Sequence, residues 1–239
     1  MIYLAAACAV ILFIMIFYSV IPTLVIRKLE MGIKKSLPGS KGIALTFDDG
    51  PHPEYTVKLL DLLKKYKVKA SFFVVGSKAQ RYPNIIKRMH AEGHTVGIHH
   101  FNHISGWLLP PISLKMQLDM TEKAIERITK SQVRFYRPPW GHFNLFTLVL
   151  SRKYSTVMWS GIFGDWKVKN HKTLLQEMRK ATKDGAIFLL HDCGETFGAD
   201  REAPGYMLES LEVYLEEQIV AGVHFVTLKD AIPTQERIL

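Results

Sequence analysis

Gly42-Ile43-Ala44-Leu45-Thr46-Phe47-Asp48-Asp49-Gly50-Pro51 is the stretch on which the reading of this chain turns. Its apolar run, 42–47, reads as a buried strand bounded by glycine on one side and Gly50-Pro51 on the other. Two adjacent carboxylates close that strand. Burying unpaired charge is costly, so a carboxylate pair at the end of a core strand calls for a metal ion or a basic partner. Farther along, Gly97-Ile98-His99-His100-Phe101-Asn102-His103 brings a histidine pair to the end of another apolar run.

Working outward, apolar runs alternate with amphipathic ones. Strands are expected at 42–47, 70–75, 95–98, 134–137, 155–160, 185–190 and 223–228, and helices at 56–66, 83–92, 113–129, 144–153, 172–183 and 205–220. This alternation predicts an α/β fold with a parallel sheet covered by helices. Asp48 and Asp49 follow the first strand and His99 the third; Arg137 ends the fourth, Asp165 lies just past the fifth and His191 ends the sixth. Polar groups at the carboxyl ends of many strands converge in a barrel mouth, so a distorted or incomplete (β/α) barrel is expected rather than an open sheet.

The chain has 239 residues and a net charge of +9, a length suited to one sizeable domain. Residues 1–26 carry no charged side chain, and 2–21 are almost wholly apolar. About 20 such residues at roughly 1.5 Å each cross a hydrocarbon core of about 30 Å. A basic n-region and a small-residue cleavage site are both lacking, and Ala5-Ala6-Ala7-Cys8 has too little chain before it to act as a lipoprotein box, so an uncleaved anchor is expected. The expected organisation is a transmembrane anchor at 1–26, a basic linker at 27–41 and a catalytic domain at 42–239. Arg27, Lys28, Lys34, Lys35 and Lys41 follow the span, which by the positive-inside rule places the domain in the cytoplasm. That rule is weakest when a large folded domain follows, and the charges leave orientation open.

The basic balance suits a solvated surface or attraction to anionic lipid or polymer. Aromatic platforms interleaved with Arg and zinc-finger spacings are lacking, which argues against nucleic acid, and nothing implies an obligate protein partner. With Cys8 in the span, Cys193 is the only other thiol, so the main domain forms no internal disulfide.

His99 and His103 are four apart, so on a helical turn both rings face one side. With one carboxylate they make a two-histidine, one-carboxylate metal site with open positions. Zinc is the default ion for His and Asp ligands without redox chemistry, with cobalt or another divalent ion as alternatives. Hydrolysis would need a base and an acid, for which Asp48 and His191 are the candidates. Arg137 can hold a carboxylate bidentately, and Asp165 can orient an imidazole. His52, His90, His94, His142, His171 and His224 read as structural or solvated. The apolar loop Trp107-Leu108-Leu109-Pro110-Pro111 reads as packing, or as a lip facing substrate or membrane. The polar loop 192–204 stands where it could cover the site.

These motifs resemble the polysaccharide deacetylase family with its NodB-homology domain, over roughly residues 41–232. Thr46 to Pro51 matches the family's Thr-Phe-Asp-Asp-Gly-Pro, and the resemblance implies that Asp48 is the base and Asp49 a metal ligand. The family's His-(Ser/Thr)-x-x-His falls on His99 to His103, with His100 where a hydroxyl residue is usual. Arg137, Pro139, Trp140 and Gly141 match its Arg-x-Pro-aromatic-Gly motif; by resemblance Arg137 orients Asp48 and the Trp140 N–H faces the oxyanion. Asp165-Trp166 matches a further motif, although an acidic residue often found three positions earlier is Ile162 here. Leu189 and His191 match Leu-x-His, with Leu189 lining the acetyl pocket and His191 as acid.

The resemblance implies metal-dependent removal of N-acetyl groups from an N-acetylglucosamine polymer such as peptidoglycan or chitin-like chains. The enzyme would be a single-pass protein of the cell membrane with its site outside. A lipid-linked amino sugar at the bilayer is the alternative substrate. A catalytically silent wall-binding protein is the third reading, against which the intact ligand set counts.

Overall fold

A computed structural model describes residues 1–168 and 171–233. A helical stretch opens the chain: α1 (Ile2–Met15), a π-helical turn (Ile16–Val20) and α2 (Ile21–Leu29). The elements that follow are β1 (Ile33–Lys34), β2 (Ala44–Asp48), α3 (Tyr55–Lys65), β3 (Ser71–Val74), α4 (Gly76–Arg81), α5 (Pro83–Ala91), β4 (Thr95–Ile98), α6 (Pro111–Thr129) and β5 (Phe135–Tyr136). Then come α7 (Thr147–Leu150), β6 (Ser155–Val157), β7 (Gly161–Ile162), α8 (His171–Ala181), β8 (Ile187–His191), α9 (Ala203–Val220) and α10 (Leu228–Ala231).

The eight strands form one parallel sheet in the order β1-β6-β5-β4-β3-β2-β8-β7, curled into a half-barrel with helices outside. β1 and β7 are its two edges. Residues 158–160 step from one edge to the other: Met158 N donates to Lys34 O at 2.7 Å, and Ser160 N donates to Ile187 O at 3.0 Å. The barrel is therefore incomplete, as expected, and bridged by chain rather than by a ladder. β2 lies between β3 and β8, and all five of its residues are buried. A parallel strand covered on both faces needs the continuous apolar run that Ala44, Leu45 and Phe47 supply. Phe47 stacks on Phe72 of β3 with centroids 5.4 Å apart. Each such buried side chain contributes about 1.5–3 kcal/mol.

Several expected elements differ. The stretch 223–228 is not a strand: Phe225 makes one isolated bridge to Ile43, and Thr227 caps α10 by accepting from Asp230 N at 3.2 Å. Its β-branched and aromatic residues serve instead to cover the core. The expected helix 144–153 shrinks to α7, because Asn144 spends its side chain on Gly106 O and Leu109 O at 2.7 and 3.0 Å and on Phe146 N at 2.9 Å. The expected strand 155–160 is confined to β6, which lies between β1 and β5, and β7 follows it on the far edge of the sheet; α4 has no counterpart among the expected elements.

Residues 27–41, expected to be a linker, are ordered. α2 runs to Leu29, and Ile33, buried with Ile26, Phe143 and Met158, seats β1 on the sheet edge. The apolar segment does not project freely along its whole length either. Ser19, Thr23 and Ile26 are buried against the domain that follows. Tyr18 OH donates to Leu109 O at 2.8 Å, Ser19 Oγ to Trp107 O at 3.0 Å and Thr23 Oγ1 to Phe143 O at 2.7 Å. Trp107 Nε1 donates back to Thr23 Oγ1 at 2.8 Å, and its ring stacks on His142 at 4.0 Å. Trp107 is thus a packing residue, and what it packs against is the helix.

Candidate active site

The sheet register sets Asp48 at the end of β2 directly beside His191 at the end of β8. Asp49 turns off the strand with φ 76°. Gly50 must follow it, since a Cβ there would lie 2.3 Å from Asp192 Oδ2. Asp49 Oδ1 lies 2.9 Å from His103 Nε2 and 3.3 Å from His99 Nε2, and its other oxygen accepts from the Thr196 hydroxyl. Burial alone would raise the Asp49 pKa, but His103 and His99 hold it well below the usual carboxylate range.

His99 Nδ1 is 2.8 Å from Arg137 O. A carbonyl only accepts, so Nδ1 carries the proton and the Nε2 lone pair faces Asp49 and His103, the arrangement a metal-binding imidazole needs. The ligand atoms of Asp49, His99 and His103 lie within 4.8 Å of one another, a donor set that fits a divalent ion. The expected helical turn is absent: 99–103 is an irregular turn with His100 at φ 60° and His103 at φ 52°. Gln117 Oε1 holds it by accepting from Phe101 N and Asn102 N at 2.9 and 2.8 Å, and the ring centroids of His99 and His103 still stand 5.0 Å apart. His100 points away from the site. Its Nδ1 meets Ile104 O at 2.7 Å and its Nε2 meets Tyr136 OH at 2.8 Å.

Arg137 is wholly buried. Its Nη1 donates to Asp48 Oδ1 at 2.7 Å and to Thr46 Oγ1 at 2.8 Å, Nε to Val157 O at 3.0 Å and Nη2 to Met158 O at 2.7 Å. Four acceptors thus fix the guanidinium, which fixes Asp48. Across the site, Asp165 Oδ2 accepts from His191 N at 2.7 Å and Oδ1 meets His191 Nδ1 at 3.1 Å, leaving Nε2 for a reacting group. Burial opposes charge on the His191 ring, but Asp165, with help from Asp49 and Asp48, outweighs it and raises the pKa to about 9.

A cleft of about 430 Å³ opens over Asp48, Asp49, His99 and His191, with Leu189 in its wall. Trp166 sets its edge on His191 at 5.4 Å; Trp140, half-exposed at φ 55°, sets its edge on His103 at 4.3 Å. Every site residue expected from the sequence is therefore either in this cleft or bonded to one that is. His142, Trp159 and Thr196 also line it and were not singled out as site residues. Trp159 and His142 each follow a strand or motif already aimed at the mouth, which is the signal that marks them. The loop 192–204 flanks the cleft through Thr196, Phe197, Gly198 and Ala199. His94 is structural as expected: its Nδ1 accepts from Ala70 N at 3.1 Å, and burial pulls its pKa down to about 4. The side chain of His171 lies outside the described residues.

The family model for polysaccharide deacetylase matches residues 35–159. The peptidoglycan-N-acetylmuramic acid deacetylase PdaC of Bacillus subtilis is 41% identical over 162 residues, 66% of this chain and 34% of that protein. A peptidoglycan-N-acetylglucosamine deacetylase of Bacillus cereus is 35% identical over 196 residues, 80% of this chain and 88% of that protein. The crystal structure of the Bc1960 peptidoglycan N-acetylglucosamine deacetylase superposes with a TM-score of 0.79 at 30% identity, covering 89% of this chain and 98% of that one. The chain belongs to the polysaccharide deacetylase family. It spans about a third of the length of the PdaC relative and most of the other two.

Proposed function

We propose that the protein is a metal-dependent hydrolase that removes N-acetyl groups from the hexosamines of a cell-wall polysaccharide, releasing acetate. The observation that carries this reading is the pair of fixed acid–base groups, Asp48 held by Arg137 and His191 held by Asp165, on either side of the Asp49, His99 and His103 donor set. Peptidoglycan is the favoured polymer because the named relatives act on it.

Asp49, His99 and His103 would hold the ion, zinc by their chemistry. When bound, such an ion polarises a carbonyl and lowers the pKa of a water toward about 7. Asp48 takes the proton from the attacking water, its carboxylate kept in place by Arg137. The Trp140 N–H faces the negative charge that develops on the acetyl oxygen. His191 donates a proton to the departing amine as the C–N bond breaks, and Asp165 stabilises the imidazolium beforehand. Leu189 and Trp166 enclose the acetyl group.

The apolar helix Ile2–Leu29, with an 18-residue window of mean hydropathy 2.7, supports a single-pass membrane protein, and the peptidoglycan named for its relatives favours the cell-wall side for the catalytic domain. A lipid-linked amino sugar is a second substrate reading, favoured by the Arg27 guanidinium of α2 standing 5.4 Å over the Trp159 ring in the cleft wall.

The test is acetate release by the full chain from peptidoglycan and from N-acetylglucosamine oligomers, with and without zinc. Zinc-dependent release that disappears in Asp48→Asn supports the reading. Release that persists in that variant overturns the role of Asp48, and none from any polymer favours the lipid-linked substrate.

A further inference from the structure

The surface around the docked N-terminal helix is apolar in a way the catalytic reading does not use. α6 and α7 pack against each other, and Asn144 ties the 106–109 loop to the start of α7. Leu145 N donates to Tyr18 O at 2.9 Å, and Tyr18 OH reaches Leu109 O at 2.8 Å, so both segments are anchored to the same point of the helix. From them Leu108, Ile112, Met116, Leu145 and Val149 stand exposed, at 70%, 79%, 54%, 62% and 62%. The helix adds to this surface. α2 buries Pro22, Thr23 and Ile26 against the domain, yet Ile21, Leu24 and Val25 on its other face are apolar and exposed. A helix lying between protein and water would carry polar residues there.

Helix length gives the patch an occupant. Residues 2–17 lie clear of the domain, and the helix is docked from Tyr18 onward. At about 1.5 Å per residue, 2–17 make roughly 24 Å of helix, short of a hydrocarbon core of roughly 30 Å. The shortfall closes if the domain itself meets the hydrocarbon boundary and α2 continues into it. We infer that the collar of Leu108, Ile112, Met116, Leu145 and Val149, with the outer face of α2, is seated in the membrane interface, so that the bilayer is the partner of this face. Exposed apolar area of this kind is otherwise an aggregation hazard, and burial in lipid removes it. The inference rests on the helix being a span and is independent of the chemistry. Its consequence is that the cleft, whose wall Trp159 touches Arg27 of α2, is confined to sugars close to the membrane.

The experiment is a depth measurement on the full chain in phosphatidylcholine–phosphatidylglycerol vesicles. Nitroxide labels are placed singly at Leu108→Cys, Ile112→Cys and Val149→Cys in a Cys8→Ser background, Cys193 being buried. Ile11→Cys on the span and Glu209→Cys on α9, which packs on α3 and α8, are the references. The expected result is a ratio of oxygen to nickel-chelate accessibility at 108, 112 and 149 that lies well above that at 209 and below that at 11. Adding Leu145→Glu to a labelled chain, a surface change that leaves the fold intact by circular dichroism, is expected to shift the 112 and 149 ratios toward water. Collar ratios equal to that at 209 overturn the inference, as does a water-like ratio at 11. Acetate release is not read, so loss of the catalytic reading and loss of this one are told apart.

Discussion

Arg137 Nη1 and Asp48 Oδ1 stand 2.7 Å apart with both side chains buried, Arg137 at 0% and Asp48 at 3% exposure. A buried pair is worth little as a pair, but removing one partner leaves the other charge unmatched and costs about 3–5 kcal/mol. Arg137→Met is therefore expected to lower stability by about that amount in urea denaturation. Asp48→Asn combined with Arg137→Met should cost less than Arg137→Met alone, because no carboxylate remains stranded. A loss in the double variant equal to the sum of the two single losses would show that the pair is not coupled.

The second carboxylate-bound group sets the pH response. His191 is raised to about 9 against burial, chiefly by Asp165. As the proton donor it must be charged, so activity falls as pH rises through its pKa. Asp165→Asn removes the largest raising influence, and the alkaline limb of kcat/KM is expected to move to lower pH. The same raised pKa contributes stability that is fully present below 6.5 and lost as pH rises through about 9. Both effects shrink together in Asp165→Asn; an unmoved alkaline limb would assign the limb to another group.

Much of this site was legible because its chemistry is concentrated in short motifs that end strands. Asp48 had to close β2 with Asp49 just beyond it, and His191 had to close β8, once the apolar runs were placed. The geometry of 99–103 was not legible: spacing of four suggested a helix, while the real turn depends on Gln117, far away in sequence. β1 was hidden for a similar reason. A two-residue strand has no periodicity to detect, and Ile33 is buried only because Ile26, Phe143 and Met158 meet it from three other segments. The docking of Tyr18, Ser19 and Thr23 was likewise invisible, since three polar residues in an apolar run reveal nothing about their partners.

The donor set makes a metal-removal prediction that does not depend on turnover. Asp49, His99 and His103 each offer one atom to a shared point. Elemental analysis of the purified full chain is expected to find about one divalent ion per chain, in keeping with a single site. His99→Ala and Asp49→Asn should each lose it, whereas Asp48→Asn should keep it. A chelator should abolish acetate release, and added zinc should restore it. Retention of the ion in His99→Ala would place the metal elsewhere.

His100 offers a test of a departure from the family pattern. Its Nδ1 faces a carbonyl and must donate, so its Nε2 accepts from Tyr136 OH, and the ring is held neutral. Burial lowers its pKa to about 3. Replacing it by Leu leaves Tyr136 OH and Ile104 O without partners, an expected loss of about 1–3 kcal/mol at pH 7. Because the unfolded imidazole takes up a proton below 6.5 and the folded one does not until about 3, the wild type loses stability as pH falls through that window. The gap between wild type and His100→Leu should therefore narrow by about 1.4 kcal/mol per pH unit below 6.5. A constant gap in urea melts from pH 7 to 5 would show that the ring is solvated.

Thr23 decides whether the apolar segment is part of the fold or a leader removed from it. Its hydroxyl donates to Phe143 O at 2.7 Å and accepts from Phe143 N at 2.9 Å and from Trp107 Nε1 at 2.8 Å. Thr23→Val keeps the shape and deletes all three bonds, leaving an indole N–H and a backbone N–H buried without acceptors, at a cost of about 1–3 kcal/mol each. Faster amide hydrogen exchange is expected at 106–109 and 143–145 in the full chain, with β2 and β8 unchanged. The same logic predicts that protein recovered from membranes keeps residues 1–29, because cutting the helix away would expose Ile33, Phe143 and Met158 and leave the Trp107 indole N–H without its Thr23 acceptor. Amino-terminal sequencing that begins beyond Thr23, with the domain still folded and active, would instead make the segment a cleaved signal, and the hydrogen bonds to Trp107 and Phe143 would then be absent from the mature enzyme.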